Sequence, residues 1–305
     1  MTYYNLVLIY IVRIGSNPTN RKEKSMKKVL LTVCCLLLAS MAFAGASRSN
    51  PDMNTPPTSI PDGGSFLGKA DVLYVNDTGG GTWDGLYNGC YQDACTAVGL
   101  SVDDYDTSSY GDGPDATTMA DYNLVIWNCY DCWWSGDSLT TNDVTNLTTY
   151  VSGGGNLWLI GQDINYSAPG NWTTFRNTYL GVSSVTDDIF WDVASCTVDG
   201  ATGTFTEPHT NIDLVASQCF TANNFYTDNL TVGAAFISYI VDGTYTSAAC
   251  YDNGTYKTAY YTIHLECYTD GDVALEDMII DHLSWFGILD TVQPTSLGNI
   301  KAMFN

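Results

Sequence analysis

Short, continuous apolar runs that alternate with helical patterns are the feature that most restricts the fold of this chain. Three such runs cover 71–75, 123–127 and 156–160. Apolar residues recur at helical spacing after the first run, over 86–98, and before the third, over 144–151. Strands that are apolar throughout are buried on both faces, which is typical of a parallel sheet covered by helices. The sequence therefore predicts an α/β fold with a mostly parallel sheet.

The middle of the chain, about 182–255, has a different pattern. Short apolar runs are separated by turn dipeptides, and Asp242-Gly243 and Asn253-Gly254 are typical of tight β-hairpins. We interpret this segment as a β-rich insertion or an extension of the sheet.

The beginning of the chain has the pattern of an export signal. A basic start at Lys27 and Lys28 precedes an apolar stretch over 29–39 and a small-x-small cleavage site that ends at Ala44. That stretch is too short to span a bilayer, so we expect no membrane span in the mature chain and a secreted or cell-surface location. The predicted organisation is an upstream extension at 1–25, a signal peptide at 26–44, a flexible linker at 45–69, an α/β domain at 70–289 and a C-terminal linker at 290–305.

The charge of the chain limits its partners. It has 33 acidic residues against 11 Lys and Arg, and a formal net charge of −22. Six of the basic residues lie before Ala44, so the exported part is more acidic still. Such a surface repels nucleic acid and anionic membranes. An extracellular protein or carbohydrate is the kind of partner that remains.

The cysteines of the exported part are even in number, which in a secreted protein indicates up to four disulfides. Their pairing cannot be read from their spacing. Cys129 and Cys132 also have the C-x-x-C spacing of redox pairs and zinc sites, but no second C-x-x-C or nearby His supports either chemistry. The candidates are Cys90, Cys95, Cys129, Cys132, Cys196, Cys219, Cys250 and Cys267.

Four stretches of the chain carry a family resemblance. They are VLYVNDTGGG, YNLVIWNCYD, LTTNDVTNLTTYVSGGGNLWLIGQDI and YKTAYYTIHLECY. Over about 70–290 the chain resembles the class I glutamine amidotransferase-like domain, and more narrowly its catalytically silent forms in secreted bacterial proteins. The resemblance implies a flavodoxin-like three-layer sandwich.

The catalytic positions of that family are only partly matched. Active members carry a nucleophilic Cys in a Gly-x-Cys-x-Gly turn and a later His-x-Glu pair. Here Gly161 matches the first Gly, Asp163 stands where the Cys belongs, and Asn165 replaces the second Gly. His264 and Glu266 fit the His-x-Glu pair. Because a carboxylate cannot replace the thiolate in that chemistry, amidotransfer is not expected.

Carboxylates that follow the predicted strands form a candidate metal site. The carboxyl ends of parallel strands meet at one edge of a sheet, which would bring Asp77, Asp131 and Asp163 together. Oxygen ligands of this kind could hold Ca²⁺ or Mg²⁺, and Ca²⁺ is the candidate cofactor. The alternative is that Asp is simply frequent after strands because it forms turns and helix caps.

Two functions follow from these patterns. The first is a secreted, non-enzymatic binding or scaffolding module, for which the adjacent Trp133 and Trp134 are candidate ligand-facing aromatics. The second is a secreted, metal-assisted hydrolase that uses Asp163, His264 and Glu266. The missing nucleophile favours the first.

Overall fold

The computed structural model describes residues 70–77, 89–107, 111–131, 139–189, 193–220 and 225–289. The predicted signal peptide and both linkers lie outside these ranges. So do Cys132, Trp133, Trp134 and the side chain of Asp131. The predictions made for them therefore stay predictions.

Strands dominate the described residues. In chain order they are β1 Val72–Asn76, β2 Val102–Asp106, β3 Leu124–Asp131, β4 Leu157–Gln162, β5 Val182–Thr186, β6 Ser195–Gly200, β7 Ile212–Val215, β8 Asn229–Val232, β9 Phe236–Val241, β10 Tyr245–Asp252, β11 Lys257–Tyr261 and β12 Tyr268–Asp270.

The helices are short, and none of those in the described residues has the length and apolar character needed to cross a membrane. They are α1 Cys90–Ala97, α2 Ala116–Met119, α3 Thr141–Ser152, α4 Ile164–Ser167, α5 Trp172–Tyr179 and α6 Leu275–Phe286, with 3-10 turns at Ala216–Gln218 and Leu265–Cys267.

Ten of these strands form one mixed sheet in the order β12-β7-β6-β9-β10-β11-β4-β3-β1-β2. Pairing is parallel from β2 through β1, β3 and β4 to β11, and antiparallel from β11 to β12. The prediction of a mostly parallel sheet therefore holds only for the part of the sheet that runs from β2 to β11. The β-rich segment is the reason, because β6, β7, β9 and β10 extend the sheet as antiparallel neighbours, whereas β5 and β8 pair separately.

Alternation along the parallel strands divides the core between two buried clusters. On β1, Val72 and Tyr74 belong to one cluster, whereas Leu73 and Val75 belong to the other. The first also contains residues of α1 and α6, and the second contains residues of α3 and α5. Both faces of these strands are thus covered, as their continuous apolar character predicts.

Local sequence signals set several element boundaries. Thr140 and Asp143 form a capping box at the start of α3, as their spacing predicts. Asp242 and Gly243 join β9 to β10 with φ of 47° and 63°, the left-handed backbone that a tight hairpin requires. The final helix begins at Leu275, with Glu276 and Asp277 in its first turn, where the helix dipole favours acidic side chains.

The last parallel strand is shorter than its apolar pattern predicts. The apolar pattern over 257–266 predicts a single strand, but β11 ends at Tyr261. His264 then precedes a 3-10 turn that contains Glu266. These two side chains therefore lie beyond the strand, where a turn rather than strand alternation sets their directions.

Candidate functional site at the carboxyl edge of the sheet

Four neighbouring parallel strands, β1, β3, β4 and β11, end at the same edge of the sheet. The residues just beyond three of these strands include Asp77, Asp163 and His264, and Asn128 lies on β3 opposite the last residue of β1. In open α/β sheets this edge is where ligand sites form. The predicted site residues therefore do come to one edge, but they divide into distinct groups.

Asp163 stands in a strained turn between β4 and α4. Its φ is 57° and ψ is 13°, a left-handed conformation that is uncommon for residues other than glycine. Gly161 makes the turn possible, because a Cβ there would lie 2.9 Å from Cys129 Cβ and 2.9 Å from Ile164 Cδ1. A sharp strand-to-helix turn of this kind presents the nucleophile in several hydrolase families. Here it presents a carboxylate.

His264 and Glu266 form a buried pair. His264 Nδ1 is hydrogen-bonded to Glu266 Oε1 at 3.1 Å, and His264 Nε2 is hydrogen-bonded to the carbonyl oxygen of Tyr130 at 3.2 Å. Since His264 is 0% exposed, its two nitrogens are fully committed inside the protein.

The carboxylate of Glu266 accepts further hydrogen bonds from its surroundings. Asn128 Nδ2 donates to Oε1 at 2.7 Å, and Tyr91 hydroxyl donates to Oε2 at 2.9 Å. Burial by itself would raise the pKa of Glu266, but the charge and hydrogen bond of His264, with smaller contributions that include Asn128, lower it below its ordinary value. Glu266 is therefore an ionised partner of His264 in the interior.

Aromatic rings and a disulfide enclose this pair. The ring of Tyr130 stacks on His264 with centroids 5.9 Å apart, and Phe220 meets it edge-on at 4.8 Å. Cys219, beside Phe220, is bonded to Cys267, beside Glu266, with 5.1 Å between their Cα atoms. The rings of Tyr130 and Phe220 thus both contact the His264 ring, and the disulfide joins the residues next to Phe220 and Glu266.

Asp163 belongs to a second group, with two residues from the β-rich segment. One carboxylate oxygen each from Asp163, Asp187 and Asp228 all lie within 4.8 Å of one another. The β5–β8 ladder pairs Thr186 with Asn229, so Asp187 and Asp228 follow as the next opposite positions. Register therefore brings these two carboxylates together.

Asp228 is the buried member of that facing pair. Desolvation, together with the neighbouring charges of Asp187 and Asp188, raises its pKa to about 7, although a hydrogen bond from the Asp188 backbone acts in the opposite direction. Its Oδ1 accepts that bond at 3.2 Å, whereas its Oδ2 is buried without a hydrogen-bond partner. The ionised form of this side chain is therefore poorly satisfied by the protein.

Asp77, predicted as a metal ligand, has other partners. Trp127 Nε1 donates to its Oδ2 at 2.9 Å, and Thr107 Oγ1 donates to its Oδ1 at 2.9 Å. Burial raises its pKa to about 7 in spite of these hydrogen bonds. Because the side chain of Asp131 lies outside the described residues, the set Asp77, Asp131 and Asp163 stays a prediction.

The raised pKa of Asp77 predicts a pH-dependent effect of Asp77→Asn. The folded protein binds a proton at Asp77 up to about pH 7, whereas the unfolded chain releases it near pH 4. Ionisation therefore destabilises the fold as pH rises through this window and fully above it. We expect the stability of Asp77→Asn relative to wild type to increase by about 1–3 kcal/mol between pH 4 and pH 8.

Urea unfolding at both pH values measures this difference. Asp277→Asn is the matched control, because it removes the same charge from an exposed side chain. An Asp77→Asn difference that does not change with pH would contradict the assignment.

The cysteines predicted to form disulfides include one bonded pair and several buried thiols. Cys219 and Cys267 are joined, whereas Cys95, Cys196 and Cys250 are buried thiols outside any disulfide. Burial raises the pKa of each of these three thiols to about 12, which suppresses the reactive thiolate. They therefore act as core side chains rather than nucleophiles.

Sequence reasoning missed Asp187, Asp228 and Tyr91 as site residues. Asp187 and Asp228 lie 41 positions apart within the β-rich segment, and only the β5–β8 register shows that they meet. Tyr91 lies on α1 and reaches Glu266 across 175 positions of sequence. The local sequence shows only that Asp187 follows one short β-forming segment and that Asp228 precedes another.

No protein-family model matches this sequence, and no curated protein matches it. Solved structures do resemble it at low identity. A putative GMP synthase component from Thermoplasma acidophilum is 10% identical over 76% of this chain and 98% of that one, with a TM-score of 0.46. A putative ThuA-like protein from Bacteroides uniformis is 10% identical over 76% of this chain and 95% of that one, with a TM-score of 0.40. Both have a glutamine amidotransferase-like fold.

A larger protein also contains a similar unit. The β-galactosidase from Rahnella sp. R3 is 11% identical over 71% of this chain, with a TM-score of 0.42. This chain spans only 30% of that enzyme. All these likenesses concern the fold alone.

Proposed function

We propose that this chain is a secreted, non-enzymatic binding or scaffolding module of the cell surface, on a flavodoxin-like, amidotransferase-like frame without a nucleophile. The observation that supports it most is the state of His264 and Glu266. Both ring nitrogens and both carboxylate oxygens have partners within the protein, and both side chains are buried.

A general base must come within hydrogen-bond reach of the proton that it removes, about 2.6–3.2 Å. His264 would have to leave Glu266 or Tyr130 and pass Phe220 to reach a substrate. Both ring nitrogens are already engaged in hydrogen bonds within the protein, so neither is free to take a proton from a substrate. These constraints favour a structural role for the pair, and Asp163 supplies no thiolate.

One observation favours the second candidate, a metal-assisted hydrolase that uses Asp163, His264 and Glu266. Asp163 occupies a strained turn like that of a nucleophile and lies beside Asp187 and Asp228. A metal ion held by such carboxylates can activate water for attack. An activity assay with added metals separates the two candidates.

The assay measures ammonia release from glutamine and hydrolysis of chromogenic amides, esters and glycosides. It is run with and without Ca²⁺, Mg²⁺, Mn²⁺ and Zn²⁺, on the wild type and on Asp163→Asn. We expect no turnover above that of the variant under any of these conditions. Metal-dependent turnover that Asp163→Asn abolishes while remaining folded would favour the hydrolase instead.

Binding is the second readout of the proposal. The exported protein, fluorescently labelled, is incubated with cells of the producing organism and with their purified wall polysaccharides. We expect saturable retention that unlabelled protein competes away and that Cys219→Ala/Cys267→Ala, which loosens the enclosed edge, reduces. Absence of saturable retention on either material would oppose a surface-binding role.

A further inference from the structure

Two members of the second carboxylate group, Asp187 and Asp228, carry like charges at close range. Asp187 and Asp228 lie just beyond the last pair of the β5–β8 ladder, as the next opposite positions in its register, and like charges in such positions are destabilising. Within the part of the chain that the structure describes, neither forms a salt bridge, since the ion pairs there involve Asp252, Asp281 and Glu266. A cation bound between them would relieve this repulsion.

A second observation at the same place points to a ligand. Asp228 is 0% exposed, and its Oδ2 is buried without a hydrogen-bond partner. A buried carboxylate oxygen without a partner is costly, and native proteins satisfy such atoms with a donor, water or a metal ion. This carboxylate is one of the three whose oxygens lie within 4.8 Å of one another.

We propose that Asp163, Asp187 and Asp228 together bind one Ca²⁺ ion. The proposal goes beyond the binding-module function and does not depend on whether the chain is catalytic. A donor set of carboxylate oxygens without His or Cys suits a hard cation rather than zinc or copper.

The spacing of the oxygens favours Ca²⁺ over Mg²⁺. Two ligands of one ion can be no farther apart than twice the metal–oxygen distance, which is about 5 Å for Ca²⁺ and about 4 Å for Mg²⁺. The three carboxylate oxygens lie within 4.8 Å of one another, a spacing that the longer Ca²⁺–oxygen distance accommodates with less rearrangement than the Mg²⁺–oxygen distance. Asp187, which is exposed, leaves the site open to solvent for the remaining ligands.

Such an ion would join two parts of the fold. Asp163 follows β4 of the ten-stranded sheet, whereas Asp187 and Asp228 flank β5 and β8 of the separate pair. A hydrogen bond from the Tyr226 backbone to Gln162 Oε1, at 3.2 Å, already links these parts beside the site. Bound Ca²⁺ therefore fixes the two-stranded sheet against the carboxyl edge of the larger one.

Calorimetric titration with CaCl₂ and thermal unfolding test the proposal on the full chain purified after export. At a Ca²⁺ concentration of 100 times Kd, we expect Tm to rise by about 5–10 °C and EDTA to reverse the rise. Asp187→Asn should weaken Ca²⁺ binding by roughly tenfold or more, because it removes one charged ligand. Asp228→Asn should do the same, and Asp277→Asn should leave the Ca²⁺ response unchanged.

Three results would overturn the proposal. The first is a wild type that shows neither heat of binding nor a rise in Tm with Ca²⁺. The second is a Ca²⁺ response of Asp187→Asn equal to that of the wild type. The third is Mg²⁺ binding as tight as Ca²⁺ binding. Because Asp187 is exposed, its substitution is expected to fold, so a lost response reports on the ion. None of these readouts involves activity, so their failure is distinct from failure of the proposed function.

Discussion

Replacement of Glu266 by alanine is expected to destabilise the fold by about 3–5 kcal/mol, the cost typical of removing one partner from a buried ion pair. The truncation leaves His264 Nδ1 without its hydrogen-bond partner in a site that is 0% exposed. It also removes the acceptor of hydrogen bonds from Asn128 and Tyr91. Urea unfolding followed by far-UV circular dichroism measures the loss.

Glu276→Ala is the matched control for this prediction. Glu276 is an exposed residue in the first turn of α6, so the same chemical change there should cost less than about 1 kcal/mol. A loss for Glu266→Ala that is no larger than the control would show that the pair is not a stabilising element.

A double-mutant cycle with His264→Leu and Glu266→Leu identifies the source of the effect. Each single substitution leaves a buried polar partner without its hydrogen bond, whereas the double variant removes both partners at once. We therefore expect the double variant to lose less than the sum of the single losses, with a coupling of about 1–3 kcal/mol.

Loss of the Cys219–Cys267 disulfide has the second large expected effect, about 4 kcal/mol. The bond closes a loop with a sequence separation of 48, and its absence restores the corresponding conformational entropy to the unfolded chain. The measurement is the denaturant midpoint of Cys219→Ala/Cys267→Ala against that of the wild type, with and without reductant. Reductant should lower the wild-type midpoint towards that of the double variant.

Cys95→Ala is the control for that experiment. Cys95 is a buried thiol outside any disulfide, so its replacement should cost only the packing of a small side chain and should keep the response to reductant. A double variant as stable as the wild type would contradict the role of the disulfide. So would a wild type whose midpoint does not change after complete reduction.

The two predictions concern one structural unit. Glu266 and Cys267 are consecutive, and Cys219 precedes the Phe220 that covers His264. The disulfide therefore constrains the chain on both sides of the ion pair. In the family that the sequence resembles, the His-x-Glu pair serves catalysis, whereas here the two side chains are buried and hydrogen-bonded to each other.

Local patterns predicted much of the fold because they report on nearby physical requirements. The apolar run at 156–160 became β4, buried throughout, and the Thr140 and Asp143 spacing became the capping box of α3. The hairpin at Asp242 and Gly243 followed from the backbone that its turn demands. Each signal involves residues within a few positions of one another.

The errors occurred where contacts distant in sequence decide the outcome. The expected strand over 257–266 ends at Tyr261, because the chain turns there to bury His264 against Tyr130. The expected mostly parallel sheet continues instead as antiparallel strands, because the β-rich segment pairs with β11 through β10. The local hydrophobic periodicity predicts neither the early end of β11 nor the antiparallel pairing.

The sequence shows without a structure that the chain alternates strands with helices and that Asp163 stands where the family it resembles carries a Cys. The packing of distant segments sets which carboxylates surround Asp163 and whether His264 is accessible. The reason is physical: composition and spacing fix local conformation, whereas strand register and burial arise when distant segments pack together. Asp187 and Asp228 become neighbours through the register of β5 and β8, and His264 is enclosed through Phe220 and Tyr130.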